Sequence, residues 1–227
     1  MQNESPRTVL LAGATGLVGS LCLRRLLADA AVGRVVAPTR RPLPETLRAL
    51  DLAGKLEEHL VDFARLADHA ALFAVDQIIC ALGSTIKKAG SRERFREFDY
   101  SYPLQIARLG LQQGAQHFLL VSALGADAHS RIFYNRVKGE LEEALLTLPY
   151  RSITIVRPSL LLGPRQELRP AEAIGQRLGF LLPERYKPIE ATAVAAVLVE
   201  VARQDRPGTR ILESTDIKAQ AEHLLHF

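Results

Sequence analysis

The stretch Val9–Leu27, VLLAGATGLVGSLCLRRLL, constrains this 227-residue chain more than any other. A short apolar run, typical of a buried strand, breaks into three glycines, Gly13, Gly16 and Gly19, and a helical apolar pattern follows. A strand that turns through glycines directly into a helix is the opening unit of a parallel α/β sheet. The first glycine permits the tight turn, the second lets a ligand approach the backbone, and the third lets the helix pack on the strand.

The rest of the chain repeats this alternation of strands and helices. Further strands are predicted at Arg34–Pro38, Leu56–Val61, Gln77–Leu82, His117–Ser122 and Ser152–Arg157. Helices are predicted at Gly16–Ala28, Arg94–Gln113 with a kink at Pro103, Ile132–Leu146 and Ile189–Ala202. The strands are continuous Val/Ile/Leu runs, as burial on both faces requires. The prediction is therefore an α/β fold with a doubly wound parallel sheet, which binds ligands beyond the carboxyl ends of its strands.

The chain is predicted to form one domain with a small C-terminal cap. Residues 1–163 form the core, and residues 164–227 form a cap that completes the same domain and covers the edge where a substrate binds. Arg210–Glu213 is a candidate last strand within this cap. The charged and polar residues Arg165, Gln166, Glu167 and Arg169 are candidates for the pocket mouth, although such loop residues are usually just solvated.

Charge and cysteine content exclude several classes of function. The formal net charge is only +4, and the basic residues are scattered among acidic ones, so neither nucleic acid nor a membrane is an expected partner. Cys22 and Cys80 lie in apolar stretches, which predicts buried thiols and no metal site. The apolar runs are too short to span a bilayer, and Met1–Arg7 lacks the apolar segment of a signal peptide. We therefore expect a cytoplasmic protein.

The glycine turn and the following helix N-terminus predict a dinucleotide site, because free backbone amides bind phosphates. The predicted phosphate-binding residues are Gly13, Thr15, Gly16, Leu17, Val18 and Gly19. Arg40 and Arg41 follow the second strand where an NAD-specific site would carry an acidic residue, so NADP(H) is preferred over NAD(H). Asp62, after the third strand, is a candidate partner for the adenine amine or simply a loop cap.

Three residues form a candidate catalytic set. Tyr134 and Lys138 are four positions apart on a predicted helix and so share one face. The ammonium group stabilises a phenolate, which suits Tyr134 to exchange a proton near neutral pH. Ser122 ends the fifth strand, where its hydroxyl would orient a substrate oxygen. The alternative interpretation is a chance pair on an exposed helix and a serine that caps a turn.

The order of these motifs resembles the short-chain dehydrogenase/reductase superfamily, in its atypical or extended branch. That order is GATGLVG, then Ser122, then Tyr134 with Lys138, then RPSLLLG. More narrowly, a set of longer segments resembles the Tat-interacting-protein-like oxidoreductases. These segments are VDF (Val61–Phe63), CALGSTIKKAG (Cys80–Gly90), HFLLVSALGAD (His117–Asp127), YNRVKGELE (Tyr134–Glu142) and RPSLLLGPRQELRP (Arg157–Pro170). The resemblance implies a Rossmann fold and NADPH binding.

The resemblance also implies roles for individual residues. It places the pyrophosphate at Gly13–Gly19 and the 2′-phosphate at Arg40 with Arg41. The other implied cofactor contacts are Asp62 and Phe63 at the adenine, Ala81, Leu82 and Gly83 along the riboses, Tyr134 and Lys138 at the nicotinamide ribose, and Pro158 and Ser159 at the nicotinamide. One departure is notable, because many superfamily members carry an active-site Asn on the helix after strand four, and Phe98–Ser101 offers none.

The leading hypothesis is an NADP(H)-dependent oxidoreductase that acts on a small carbonyl or alcohol through Ser122, Tyr134 and Lys138. One alternative is an NADPH-binding, redox-sensing regulatory protein with little or no turnover. Another is an NAD-dependent sugar-nucleotide epimerase or dehydratase. The expected partner is a small-molecule substrate, and the chain is expected to be a monomer or a homodimer.

Overall fold

The computed structural model describes residues 6–163 and 183–225, which contain a seven-stranded parallel sheet. The described strands are β1 (Arg7–Ala12), β2 (Val32–Thr39), β3 (Leu56–Leu60), β4 (Gln77–Cys80), β5 (His117–Val121), β6 (Ser152–Arg157), β7 (Leu161–Leu162), β8 (Ile189–Glu190) and β9 (Gly208–Glu213). The sheet has the order β3-β2-β1-β4-β5-β6-β9, while β7 and β8 form a separate parallel pair. The predicted doubly wound α/β fold is confirmed.

Helices cover both faces of the sheet. The described α-helices are α1 (Leu17–Ala28), α2 (Glu45–Arg48), α3 (Ile86–Ala89), α4 (Arg92–Arg96), α5 (Tyr102–Gln112), α6 (Phe133–Leu146), α7 (Ala191–Gln204) and α8 (Ser214–Leu225). Because side chains alternate along a strand, Leu11 packs into the core beneath α1 and α7, whereas Leu10 packs into the core beneath α5 and α6. A 3-10 segment, Phe63–Phe73, which is kinked by non-helical backbone at Arg65 and His69, completes the second face.

The helix predicted at Arg94–Gln113 is interrupted. One π turn, Glu97–Ser101, separates α4 from α5, and Pro103 lies at the start of α5. Proline has no N–H to donate to the carbonyl of Asp99, four residues earlier, and its ring would crowd that carbonyl in a regular helix. The chain therefore widens into a π turn just before the proline, a feature that often marks functional sites.

Two described elements of the C-terminal segment, β9 and α7, pack directly on the central fold. β9 pairs with β6 from Ser152–Gly208 to Arg157–Glu213, and α7 packs against α1. The predicted strand Arg210–Glu213 thus extends the central sheet. The four candidate residues for the pocket mouth, at 165–167 and 169, lie outside the described residues. None of the helices within 6–163 and 183–225 is long and apolar enough to cross a membrane.

Candidate functional site

The glycine turn after β1 is closed so tightly that side chains are excluded. Gly13 has φ = 88°, and a Cβ there would lie 2.7 Å from the carbonyl oxygen of Ala81. A Cβ on Gly19 would overlap the carbonyl oxygen of Gly13. Gly16 donates to the Gly13 oxygen at 2.9 Å and begins α1, whose N-terminus no described side chain caps. The first amides of α1 are therefore available to an anionic ligand.

The two predicted phosphate-binding arginines lie beside this turn. Arg40 and Arg41 are exposed at the end of β2, and with Thr15 they line a cavity of about 250 Å³. The Arg40 guanidinium lies 4.6 Å from the centroid of the Phe98 ring, a cation–π contact that restricts its orientation. The loop after β1 and the loop after β2 thus line one cavity, in which a phosphate would contact both guanidinium groups.

Asp62 and Phe63 follow β3 at the same edge of the sheet. One carboxylate oxygen of the exposed Asp62 accepts a hydrogen bond from the Ala64 amide at 2.9 Å. Asp62 is therefore the N-cap of the 3-10 segment, while its second oxygen remains an acceptor. The Phe63 ring is buried against Tyr102, with 5.7 Å between ring centroids, so that side chain belongs to the core.

Lys138 forms a buried ion pair with Asp99, which lies in the π turn. Its Nζ is 2.8 Å from Oδ1 of Asp99, and the exposed fractions of the two side chains are 3% and 0%. The second oxygen of Asp99 accepts the Ser84 amide at 2.8 Å. Burial alone would lower the pKa of Lys138, but the nearby Asp99 and Tyr134 outweigh it and raise that pKa above its ordinary value. Lys138 is thus held as an ammonium ion.

Tyr134 lies one turn before Lys138 on α6, so the structure brings the predicted pair onto one face of a helix. Its ring packs at 5.4 Å between centroids against Phe95, which is fully buried at the end of α4. This packing fixes the direction in which the phenol points.

Ser122 is buried and its hydroxyl proton is already engaged. The hydroxyl donates to Glu142, a buried carboxylate one turn beyond Lys138 on α6. The Arg157 Nε lies 3.1 Å from both oxygens of Glu142, and Arg157 also pairs with Glu213 at 2.8 Å. Ser122 therefore retains only acceptor lone pairs for a ligand. Its predicted role in orienting a substrate oxygen stays a prediction.

The remaining predicted residues follow β4 and β6. Ala81, Leu82 and Gly83 follow β4 directly, and the carbonyl of Ala81 faces the glycine turn. Pro158 is buried, and the hydroxyl of Ser159 donates to the Lys187 carbonyl at 2.6 Å. These segments all lie at the carboxyl edge of the sheet, as the fold requires of ligand-binding loops.

Sequence reasoning missed three residues of this site. Phe98 supports Arg40, Asp99 pairs with Lys138, and Glu142 holds Ser122. The only signal for Asp99 was the absence of an Asn in Phe98–Ser101. Glu142 carried a spacing signal, because it continues the four-residue interval from Tyr134 to Lys138 along one helix face.

Curated relatives match nearly the whole chain. Protein HTATIP2 of Rattus norvegicus is 32% identical over 221 residues, which cover 96% of this chain and 88% of the relative. The Candida albicans protein FMP52, mitochondrial, is 33% identical over 205 residues, with 87% and 88% covered. The chain belongs to the Tat-interacting-protein-like family of short-chain dehydrogenases/reductases. The predicted resemblance is confirmed at the level of this NAD(P)-binding oxidoreductase family, although no family model matches the chain.

Solved structures share the fold of this family member. The Bordetella bronchiseptica enzyme WbmG in complex with NAD superimposes with a TM-score of 0.69 at 13% identity, covering 100% of this chain and 79% of WbmG. Other neighbours include UDP-sugar 4-epimerases. At this identity the likeness concerns the fold alone.

The expected cytoplasmic location is contradicted. Several fungal relatives in the family are named as mitochondrial proteins, which overturns the expectation. The cysteine and hydropathy patterns behind that expectation do not separate one reducing compartment from another.

Proposed function

We propose that the chain binds NADP(H) and acts as an oxidoreductase on a small carbonyl or alcohol substrate. The observation that carries this proposal is the cavity lined by Thr15, Arg40 and Arg41 beside the uncapped N-terminus of α1. Backbone amides of the helix suit a pyrophosphate, and two guanidinium groups suit a further phosphate. A 2′-phosphate distinguishes NADP(H) from NAD(H), so the arginines favour NADP(H).

The residues present fit such a cofactor. Gly13 and Gly19 keep the turn free of side chains that would fill the cradle. The second oxygen of Asp62 is suited to accept a hydrogen bond from an adenine amine, and Lys138 has N–H groups beyond the one facing Asp99 for ribose hydroxyls. When bound, the nicotinamide supplies or accepts a hydride.

In this proposal Tyr134 moves the proton. It donates its phenolic proton to the substrate oxygen in reduction and takes it back in oxidation. Lys138, one turn away on α6, holds the cofactor ribose and the phenol in place. Ser122 contributes at most an acceptor, because its proton goes to Glu142.

The state of Ser122 also favours a second candidate function. A serine that cannot donate to a carbonyl oxygen gives weaker polarisation of the substrate, which suits an NADPH-binding redox sensor with little turnover. Assays of NADPH oxidation with a panel of aldehydes and ketones separate the two candidates. Turnover that Tyr134→Phe abolishes supports the oxidoreductase, whereas tight NADPH binding without turnover supports the sensor.

The cofactor is tested by calorimetric titration of the wild type and Arg40→Ala with NADPH and with NADH. Loss of charge-assisted hydrogen bonds worth about 1.5–3 kcal/mol should weaken NADPH binding about 10- to 150-fold and leave NADH binding unchanged. Arg203→Ala is the control, because Arg203 is a surface arginine paired with Glu200. Equal weakening of both cofactors in Arg40→Ala, or a wild type that prefers NADH, contradicts the proposal. Tightly held NAD in the purified protein would instead support the epimerase alternative.

A further inference from the structure

The aromatic ring of Phe98 lies against Arg40, one of the two arginines at the proposed cofactor site. The Arg40 guanidinium is 4.6 Å from the centroid of the Phe98 ring. Arg40 is exposed, and among residues 6–163 and 183–225 no carboxylate forms a salt bridge with it. The ring is therefore the contact that holds this guanidinium at the end of β2.

An aromatic ring is a suitable support for a guanidinium that binds an anion. A carboxylate partner occupies the in-plane N–H groups of an arginine and neutralises its charge. A ring contacts the guanidinium through its π face and leaves the in-plane donors and the charge available. Arg34, on the same strand, shows the other arrangement, because its Nε and Nη2 donate to Glu57 at 2.8 and 2.7 Å. The support of Arg40 thus keeps its N–H groups available for a phosphate.

Phe98 is able to hold Arg40 because its own ring is fixed by its neighbours. It contacts the Tyr102 ring in a T-shaped arrangement, with 5.5 Å between the centroids and 71° between the planes. Tyr102 in turn packs on the buried ring of Phe63, with 5.7 Å between centroids. Three rings in contact therefore connect Arg40 to the core of the protein.

The position of Phe98 in the π turn relates this contact to the rest of the site. Phe98 and Asp99 are consecutive residues of the turn Glu97–Ser101, and each contacts a different partner. Phe98 supports Arg40 at the end of β2, whereas Asp99 pairs with Lys138 on α6 at 2.8 Å. One turn of the chain thus contacts both the proposed 2′-phosphate ligand and the lysine proposed to hold a cofactor ribose.

We infer that Phe98 is a positioning residue that holds the Arg40 guanidinium for the 2′-phosphate and so sets the preference of the site for NADP(H). This inference rests on the proposed function of the same site. An exposed arginine loses rotamer freedom when it binds a phosphate, and contact with a fixed ring removes part of that freedom before the cofactor binds. Arg41 provides the contrast, because in the described part of the chain no aromatic ring lies against its guanidinium.

The test is calorimetric titration of the wild type and Phe98→Leu with NADPH and with NADH. Phe98→Leu should weaken NADPH binding about 3- to 10-fold and leave NADH binding unchanged, because NADH has no 2′-phosphate. Phe98→Tyr keeps a π face and should bind both cofactors like the wild type. When added to Arg40→Ala, Phe98→Leu should change NADPH affinity less than about 2-fold, whereas when added to Arg41→Ala it should still weaken binding about 3- to 10-fold.

Phe98→Met also lacks a π face and replaces Phe98→Leu if that variant does not fold. The inference is overturned if the variant without a ring keeps the wild-type preference for NADPH, weakens the binding of both cofactors equally, or has the same effect with and without Arg40. A wild type that binds neither cofactor, or that prefers NADH, would refute the proposed function itself. A wild type that prefers NADPH, together with an unchanged Phe98→Leu, would refute only the role of Phe98.

Discussion

His117 is a buried histidine that the fold holds in its neutral form. Its Nδ1 lies 3.1 Å from a carboxylate oxygen of Asp205, and its Nε2 lies 3.0 Å from the Thr154 hydroxyl. A neutral ring satisfies both contacts, with Nδ1–H donating to the carboxylate and Nε2 accepting from the hydroxyl. Burial lowers the pKa of His117 from 6.5 to about 4, and Asp205 offsets only part of this effect, while Arg210 and Arg151 add to it.

Because this folded-state pKa lies below the unfolded value, protons bind the unfolded chain more tightly and acid favours unfolding. The stability that depends on neutral His117 is complete above about pH 6.5 and is lost as the pH falls to about 4. The difference between the two pKa values corresponds to about 3 kcal/mol, of which about 2 kcal/mol is already lost at about pH 5.

The assay is urea unfolding of the wild type and His117→Asn from neutral pH down to about pH 4.5. The asparagine keeps an N–H near the position of Nδ1 but does not titrate, so contributions from carboxylates common to both proteins subtract. The wild type should lose about 2–3 kcal/mol more than His117→Asn across this range. His129→Asn, at an exposed histidine, is the control and should follow the wild type. Parallel loss of stability in the wild type and His117→Asn would refute the reasoning.

Two further predictions concern the site itself. Glu142→Gln should lower the free energy of unfolding by about 2–4 kcal/mol in urea titrations, because it removes the buried carboxylate that pairs with Arg157 and accepts from Ser122, and leaves Arg157 with only the more exposed Glu213. Glu57→Gln in a half-exposed pair should cost about 1 kcal/mol or less, and equal losses would contradict this. Gly13→Ala should abolish NADPH binding and lower Tm more than Gly114→Ala. Both glycines have positive φ, but only at Gly13 would the added Cβ collide with backbone, at the Ala81 carbonyl. Thermal unfolding with and without NADPH tests this, and similar Tm values for the two variants would refute it.

The fold, and the edge of the sheet at which we propose that the cofactor binds, were predictable because the sequence patterns that indicate them are local. Continuous apolar runs such as Val9–Ala12 define strands buried on both faces, and glycines at fixed spacing define the first crossover. Arg40 was placed by its position after β2 alone. In each case the residues that decide the structure are neighbours along the chain.

The interior of the site was not predictable in the same way. Ser122 ends a strand, as expected, but its partner Glu142 lies on another element, and only packing shows that the hydroxyl proton is taken. The π turn was foreseen only as a kink at Pro103, since sequence does not reveal how a helix accommodates the missing N–H.

Asp99 shows why a departure from a family pattern needs structure before it is interpreted. From the sequence, Phe98–Ser101 was notable only for the Asn that it lacks. The structure shows a carboxylate with one oxygen that accepts from the Ser84 amide and a second oxygen that pairs with Lys138, the lysine that the proposed chemistry requires. A damaged site would leave Lys138 buried without compensation, at a cost of several kcal/mol. The replacement therefore argues for a site that keeps Lys138 in place, which makes carbonyl turnover in the wild type and in Tyr134→Phe the measurement that separates an oxidoreductase from a sensor.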